Sequence, residues 1–208
     1  MPTSTMQISS IQSRYLTWRK ERTKIQLFFM SLGMASLTGL LAQIKLYIPG
    51  TPVPITGQTL AILVSGVVLG QIWGTISQAS YVGLGCLGIP WFSDFRGGVQ
   101  TIIGPSGGYL IGFILATAFI GHCLNNYKFL HQPTMQLLLF IFANFIIIHG
   151  IGAIQLATWM HHKDSTWPTI IQTLNTGMLP FIPGDFIKIS LATLITSTIT
   201  KESTTTST

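Results

Sequence analysis

Asp185 and Lys188 stand three residues apart in FIPGDFIK, residues 181–188, at the head of a long apolar run. Residues at that spacing share one face of a helix. Pro183 suits the first helical position, where a missing N–H costs nothing. Asp185 then falls in the first turn, where exposed N–H groups and the helix dipole favour a carboxylate. The dipole does not favour Lys188. An ionisable residue deep in a membrane span costs about 2.5–3.5 kcal/mol on insertion scales. Each Ile or Leu returns about 0.3–0.6 kcal/mol. This run is rich in Ser and Thr, so pairing or a water-filled cavity must carry the difference. Two readings are open. One is a structural ion pair with Lys188 reaching up to the outer surface. The other is a small-molecule site built from a carboxylate acceptor and an ammonium. A ligand with N–H donors at one end and a carboxylate at the other would suit the pair.

Other chemistry-bearing residues fall into three groups. Asp94, Arg96, Gly97 and Gly98 share a loop with GPSGG, residues 104–108. Glycines let a backbone approach a ligand or a neighbouring helix closely. No GK[ST] follows, so this is not a nucleotide-binding loop. His161, His162 and Asp164 raise the question of a metal. Adjacent side chains on a helix point apart and no third cluster accompanies them, so no metal site is expected. His149 and Asn144 read as an interhelical hydrogen-bonded pair. No Ser/His/Asp spacing supports a hydrolase, and no catalytic residue is assigned. An intramembrane enzyme using Asp185 and His149 is the alternative from another class.

The elements that must position these residues are membrane spans. The 208 residues are 48% hydrophobic and only 8% charged, with mean hydropathy +0.54. Soluble domains are usually about 25% charged. The net charge of +6 is concentrated near the N-terminus, at Arg14, Arg19, Lys20, Arg22 and Lys24. Basic tails beside a first span stay in the cytoplasm, which accounts for them without nucleic acid. Cys86 and Cys123 sit in apolar stretches and read as small buried hydrophobes.

The pattern predicts an all-α polytopic protein. A basic tail covers 1–24, six spans fill 25–199 as one domain, and a polar tail covers 200–208. Span 1 runs near 25–48. PGTPVPITGQ, residues 49–58, carries three prolines and reads as a structured loop. The apolar block 59–88 is too long for one span, with a turn expected among Gly70, Gln71 and Gly74. Further spans cover 109–124, 134–160 and 183–199, and a connector that could form an amphipathic helix covers 166–180. Six spans put both termini, Lys128 and Lys201 on the cytoplasmic side, as the distribution of basic residues favours. The loops at 49–58, 90–108 and 161–180 then share the outer face with Asp185. Ser31, Ala35 and Gly39 form a small-residue stripe on span 1. It serves either internal packing or a partner protein.

TPVPITGQTLAILVSGVVLG (51–70), YVGLGCLGIPWF (81–92), IIGPSGGYLIGF (102–113) and LPFIPGDFIK (179–188) together resemble the BioY family. Its members are the biotin-specific substrate-binding (S) components of energy-coupling factor (ECF) transporters. The resemblance covers about 50–115 and 178–195. It implies an S-component bundle of six helices in the cell membrane and an outward-facing biotin pocket covered by the loop 49–58. Asp185 and Lys188 would then touch biotin. Tyr81, Gly97, Gly98, Gly104 and Tyr109 carry over to the site with less direct roles. Trp91, Phe92, Tyr81 and Tyr109 are candidate walls for the apolar part of the ligand. Arg96 lies in a more variable segment and is an alternative partner for the carboxylate. The resemblance also implies a membrane coupling protein and ATPase subunits as partners, docking on Ser31, Ala35 and Gly39. It implies no cofactor. Some members are thought to act without that module, and an uptake subunit for another small vitamin-like carboxylate is the alternative within the transporter class.

Overall fold

The computed structural model describes residues 18, 19 and 21–201, with side chains as far as Ser197. Arg14, Lys20 and nearly all of the polar C-terminal tail lie outside the described residues. The chain is mostly helical. Helix α1, Lys24–Ala42, starts with a capping box in which Thr23 and Gln26 satisfy each other's backbone N–H groups. It ends before residue 48, short of the expected boundary. Lys45–Leu46 (β1) instead pairs antiparallel with Ile55–Thr56 (β2), in the register Lys45↔Thr56 and Leu46↔Ile55. The proline-rich segment is thus the turn of a short ribbon. The Gly57 N–H donates to the carbonyls of Leu41 and Ile44 and fastens the ribbon to the end of α1.

The apolar block after the ribbon splits where the sequence placed a turn. Helix α2 covers Gln58–Val68 and α3 covers Gly70–Cys86. Gly70 has φ +71°, a left-handed conformation that strains residues carrying a Cβ. Eleven residues of helix rise only about 16 Å, roughly half the hydrocarbon core. Beyond α3, a loop carries a tight turn at Ser93–Phe95, with Asp94 and Phe95 both at positive φ. The short α4, Val99–Ile103, leads into α5, Gly107–Asn126. Helix α5 is the most enclosed of the long apolar helices and packs against α2, α3 and the helix that follows.

That next helix, α6, runs Pro133–Asp164, with a π-helical segment at Ala143–Ile148. It comes close to α5 at Gly108, where a Cβ would stand 2.6 Å from the Ile151 carbonyl oxygen. The connector forms α7, Ile170–Gly177, with its own capping box from Thr169 and Gln172. Helix α8 covers Ile182–Lys201, with Asp185 in its first turn and Pro183 one position later than expected. Lys24–Ala42, Gly107–Asn126, Pro133–Asp164 and the stretch Ile170–Ser197 are long and apolar enough to cross a membrane. The count of six spans is therefore not matched by six long helices.

The small-residue stripe faces inward. Ser31 and Ala35 are fully buried, and the Ser31 hydroxyl donates to the Leu27 and Trp73 carbonyls at 2.9 Å. A Cβ on Gly39 would stand 2.9 Å from Trp91 Cβ. Ser31, Ala35 and Gly39 let α1 approach α3 and the following loop. They do not form an open docking face, which corrects that expectation.

Candidate functional site

A cavity opens between the ribbon, the heads of α5 and α8 and the middle of α6, with about 590 Å³ of empty space including its open mouth. The ribbon contributes Val53, Pro54 and Thr56 to the roof, and the loop after α3 contributes Phe92, Ser93 and Arg96. Tyr109, Phe113 and Phe181 form aromatic walls, and Tyr109 stacks on Phe181 at 6.1 Å between centroids. His149, Asp185 and Lys188 form the floor.

Asp185 is 1% exposed. A carboxylate so deeply enclosed persists only with partners. Asn144 Nδ2 donates to its Oδ2 at 2.9 Å, and His149 Nε2 lies 2.6 Å from the same oxygen. Lys188 Nζ lies 2.6 Å from Oδ1. That approach is a close ion pair, and Oδ1 has no partner besides Lys188 among the described residues. Lys188 also donates to the Thr56 carbonyl at 3.0 Å and ties the floor to the ribbon. The Thr59 and Ser93 hydroxyls are buried at the cavity and lack a partner among the described residues. Buried polar atoms are rarely left unsatisfied in native structures. Two unpartnered hydroxyls and an acceptor engaged by Lys188 alone, around one largely apolar cavity, suit a ligand with several polar atoms.

The expected site residues divide into two groups. Asp185, Lys188, Arg96 and Tyr109 line the cavity. Tyr81, Trp91, Gly97, Gly98 and Gly104 do not. Tyr81 is fully buried behind the roof. It accepts from Gln58 Nε2 at 2.8 Å and donates to the Trp91 carbonyl at 3.2 Å, while Trp91 Nε1 donates to the Tyr81 carbonyl at 2.9 Å. Gln58 Oε1 accepts from the Thr56 hydroxyl, so these rings brace the roof through Gln58. Gly97 sits where a Cβ would stand 2.8 Å from the Ile89 carbonyl oxygen, and the Gly98 N–H donates to the Gly85 carbonyl at 2.7 Å. The Gly104 carbonyl accepts from Gln155 at 3.0 Å. These three glycines shape the loop.

Sequence reasoning placed His149 and Asn144 together as a pair. Both lie on α6, and both reach across to Asp185. Thr59, Ser93 and Phe181 went unrecognised. At the mouth, Asp94 binds Lys45 and Tyr47 of the ribbon, and Arg96 at 3.5 Å. This cluster clasps the two roof segments together. His161, one of the metal candidates, stacks on Trp167 at 4.2 Å, and no group of three His, Cys, Asp or Glu able to hold a metal occurs among the described residues.

Comparison with known proteins identifies the family. The BioY family model matches residues 14–205. A "Probable biotin transporter BioY" of Methanothermobacter thermautotrophicus is 43% identical over 136 residues, covering 65% of this chain and 87% of that protein. The "Biotin transporter BioY" of Thermotoga maritima is 36% identical over 148 residues, covering 71% and 81%. A crystal structure of the S-component for biotin from an ECF-type ABC transporter matches with TM-score 0.77 and 29% identity, covering 86% of this chain and 92% of that one. The chain belongs to the BioY family.

Proposed function

We propose that this chain captures biotin at the outer face of the cell membrane and serves as the substrate-binding subunit of an ECF transporter. Names of relatives and of the structural neighbour support this reading. The observation that carries it is the polar inventory of the cavity. Asp185 Oδ1 is a buried acceptor beside the Lys188 ammonium, 2.6 Å away. A ureido group presents an N–H and a carbonyl oxygen side by side. Acceptor and donor on the floor match that edge. Asp185 accepts from the ureido N–H and Lys188 donates to the ureido oxygen.

This pose revises the division of Asp185 and Lys188 between opposite ends of the ligand. Two groups in an ion pair cannot serve ends separated by a valerate chain. The carboxylate goes to Arg96 at the mouth, whose side chain is half exposed. Phe92, Tyr109, Phe113 and Phe181 enclose the apolar thiophane ring and chain.

Six crossings fit the family fold, with α2 and α3 as shortened spans on either side of the Gly70 turn. Residues 25–199 then form one transmembrane unit, with both termini in the cytoplasm. A membrane coupling protein with ATPase subunits is the partner class. Equilibrium binding of labelled biotin to the purified protein tests the proposal. Saturable binding is expected, and its absence sinks the reading.

A further inference from the structure

Helix α7 carries its large apolar residues on the side away from the bundle. Ile170, Ile171 and Leu174 fall within about 100° of one another at 3.6 residues per turn. A surface helix normally turns such a face toward the core. Here all three are exposed, Ile170 at 79% and Ile171 at 71%. Trp167, just ahead of the helix, is exposed as well, although its ring stacks on His161. The inward side is the smallest one. A Cβ on Gly177 would stand 2.7 Å from Leu156 Cδ2 and 2.8 Å from the Tyr109 hydroxyl oxygen. Residues 165–184 include no charged side chain.

The two ends of α7 fix its place along α6. Trp167 meets His161, and Gly177 meets Leu156, so α7 runs back beside the last turns of α6. Helix α6 has 32 residues and rises about 48 Å, against a hydrocarbon core of about 30 Å. Its last turns, with α7 beside them, therefore stand near the boundary between core and water. Helices α7 and α8 also form one apolar stretch, Ile170–Ser197, long and apolar enough to cross a membrane. The exposed face of α7 thus continues a surface that lipid covers further down. An apolar patch of this kind marks an interaction site. An uncharged helix with Ile and Leu on one face and Trp at its start suits the bilayer interface.

The inner end of α7 reaches the ligand cavity. The Gly177 carbonyl accepts from the Tyr109 hydroxyl at 2.6 Å, and Tyr109 lines the cavity and stacks on Phe181. A shift of α7 therefore moves the anchor of one cavity wall. We propose that α7 is an interfacial helix. Its Ile170, Ile171 and Leu174 face sits in the outer leaflet at the boundary of headgroups and acyl chains, and that seat holds Gly177 against Tyr109. The outer placement and the ligand rest on the reading above. Gln172, Asn175 and Thr176 on the opposite side carry no charge, so the seat draws on apolar burial and not on anionic headgroups.

The test uses the full chain in lipid nanodiscs, with Cys86→Ala and Cys123→Ala, and a single fluorophore attached through Ile171→Cys or Gln172→Cys. The two positions lie about 100° apart on the helix. The Thr169 hydroxyl still accepts the backbone N–H at 172, so the cap is kept. The label at 171 is expected to be quenched strongly by phospholipids with a nitroxide high on the acyl chain and weakly by those with it at the chain end. The label at 172 is expected to be quenched by a water-soluble nitroxide. Neutral and anionic bilayers should give the same pattern. Quenching at 171 from water, from the chain end most strongly, or from neither side, as under a protein partner, overturns the proposal. So does lipid quenching that appears only in anionic bilayers. Biotin affinity in the same nanodiscs reads the link to the cavity. Ile171→Asp is expected to bind about fivefold more weakly, the loss of about one neutral hydrogen bond, and Ile171→Leu to bind as wild type. A side chain 71% exposed has little protein packing to lose, so a role in packing alone predicts no such difference. Wild-type affinity in Ile171→Asp overturns the link, and the quenching pattern stands should that variant not fold. Absence of biotin binding in every protein would refute the biotin reading instead, and quenching would still decide the seat.

Discussion

The floor and the roof of the cavity are both held by charges, in opposite ways. On the floor, Asp185 and Lys188 have side chains 1% and 12% exposed, and side-chain donors from α6 fix the carboxylate. At the roof, Lys45, Asp94 and Arg96 are 28%, 32% and 51% exposed. Exposed ion pairs contribute about 0–1 kcal/mol, whereas removing one partner of a buried pair costs about 3–5 kcal/mol. The floor is therefore firmly held and the roof is a weak clasp. A capture site needs both, since the ligand must be read tightly and still enter and leave.

The largest effect is expected from breaking the floor. Asp185→Ala removes the acceptor and leaves Lys188, Asn144 and His149 facing an empty site, so biotin binding should weaken by at least about 2 kcal/mol, measured by equilibrium binding. The unfolding temperature should also drop, because Lys188 loses its buried partner. Lys188→Ala removes one charged hydrogen bond and should weaken binding by about 2 kcal/mol, with a smaller loss of stability. Affinity equal to wild type in well-folded variants would return both residues to a purely structural role.

An intermediate effect is expected at the stripe on α1. Ala35→Leu forces a large side chain into a buried contact and should destabilise the fold by about 1–3 kcal/mol, read as a lower unfolding temperature in detergent. An Ala35→Leu protein of normal stability that fails to join its partners would place the stripe on the outside. The smallest effect is expected at the clasp. Asp94→Ala should change equilibrium affinity by less than about 1 kcal/mol while speeding biotin release in a chase experiment. A loss as large as that of Asp185→Ala would erase the distinction between the two surfaces.

Much of this arrangement was visible in the sequence, and the parts that were not share a cause. FIPGDFIK stood out because two charges opened an apolar run, and their spacing alone put them on one face. Gly70 was recognisable as a turn because the apolar block was too long for one span. Residues whose roles depend on helix register were harder to read. Asn144, His149 and Gln155 were visible as polar residues in a greasy helix. Their partners, Asp185 and the Ile102 and Gly104 carbonyls, follow from a π turn that ANFIII does not advertise. The strands of the ribbon have two residues each, too few for any alternation to register. Tyr81 and Trp91 looked like ligand walls because aromatic residues suit both walls and braces. Only packing distinguishes the two roles.

The central claim is that the buried floor reads the ureido end of biotin and the exposed mouth reads its carboxylate. The most direct measurement compares the affinities of biotin and biotin methyl ester for wild type, Arg96→Ala and Lys188→Ala. The account predicts saturable biotin binding to wild type and an esterification penalty that vanishes in Arg96→Ala and persists in Lys188→Ala. A penalty that vanishes in Lys188→Ala and persists in Arg96→Ala would contradict it.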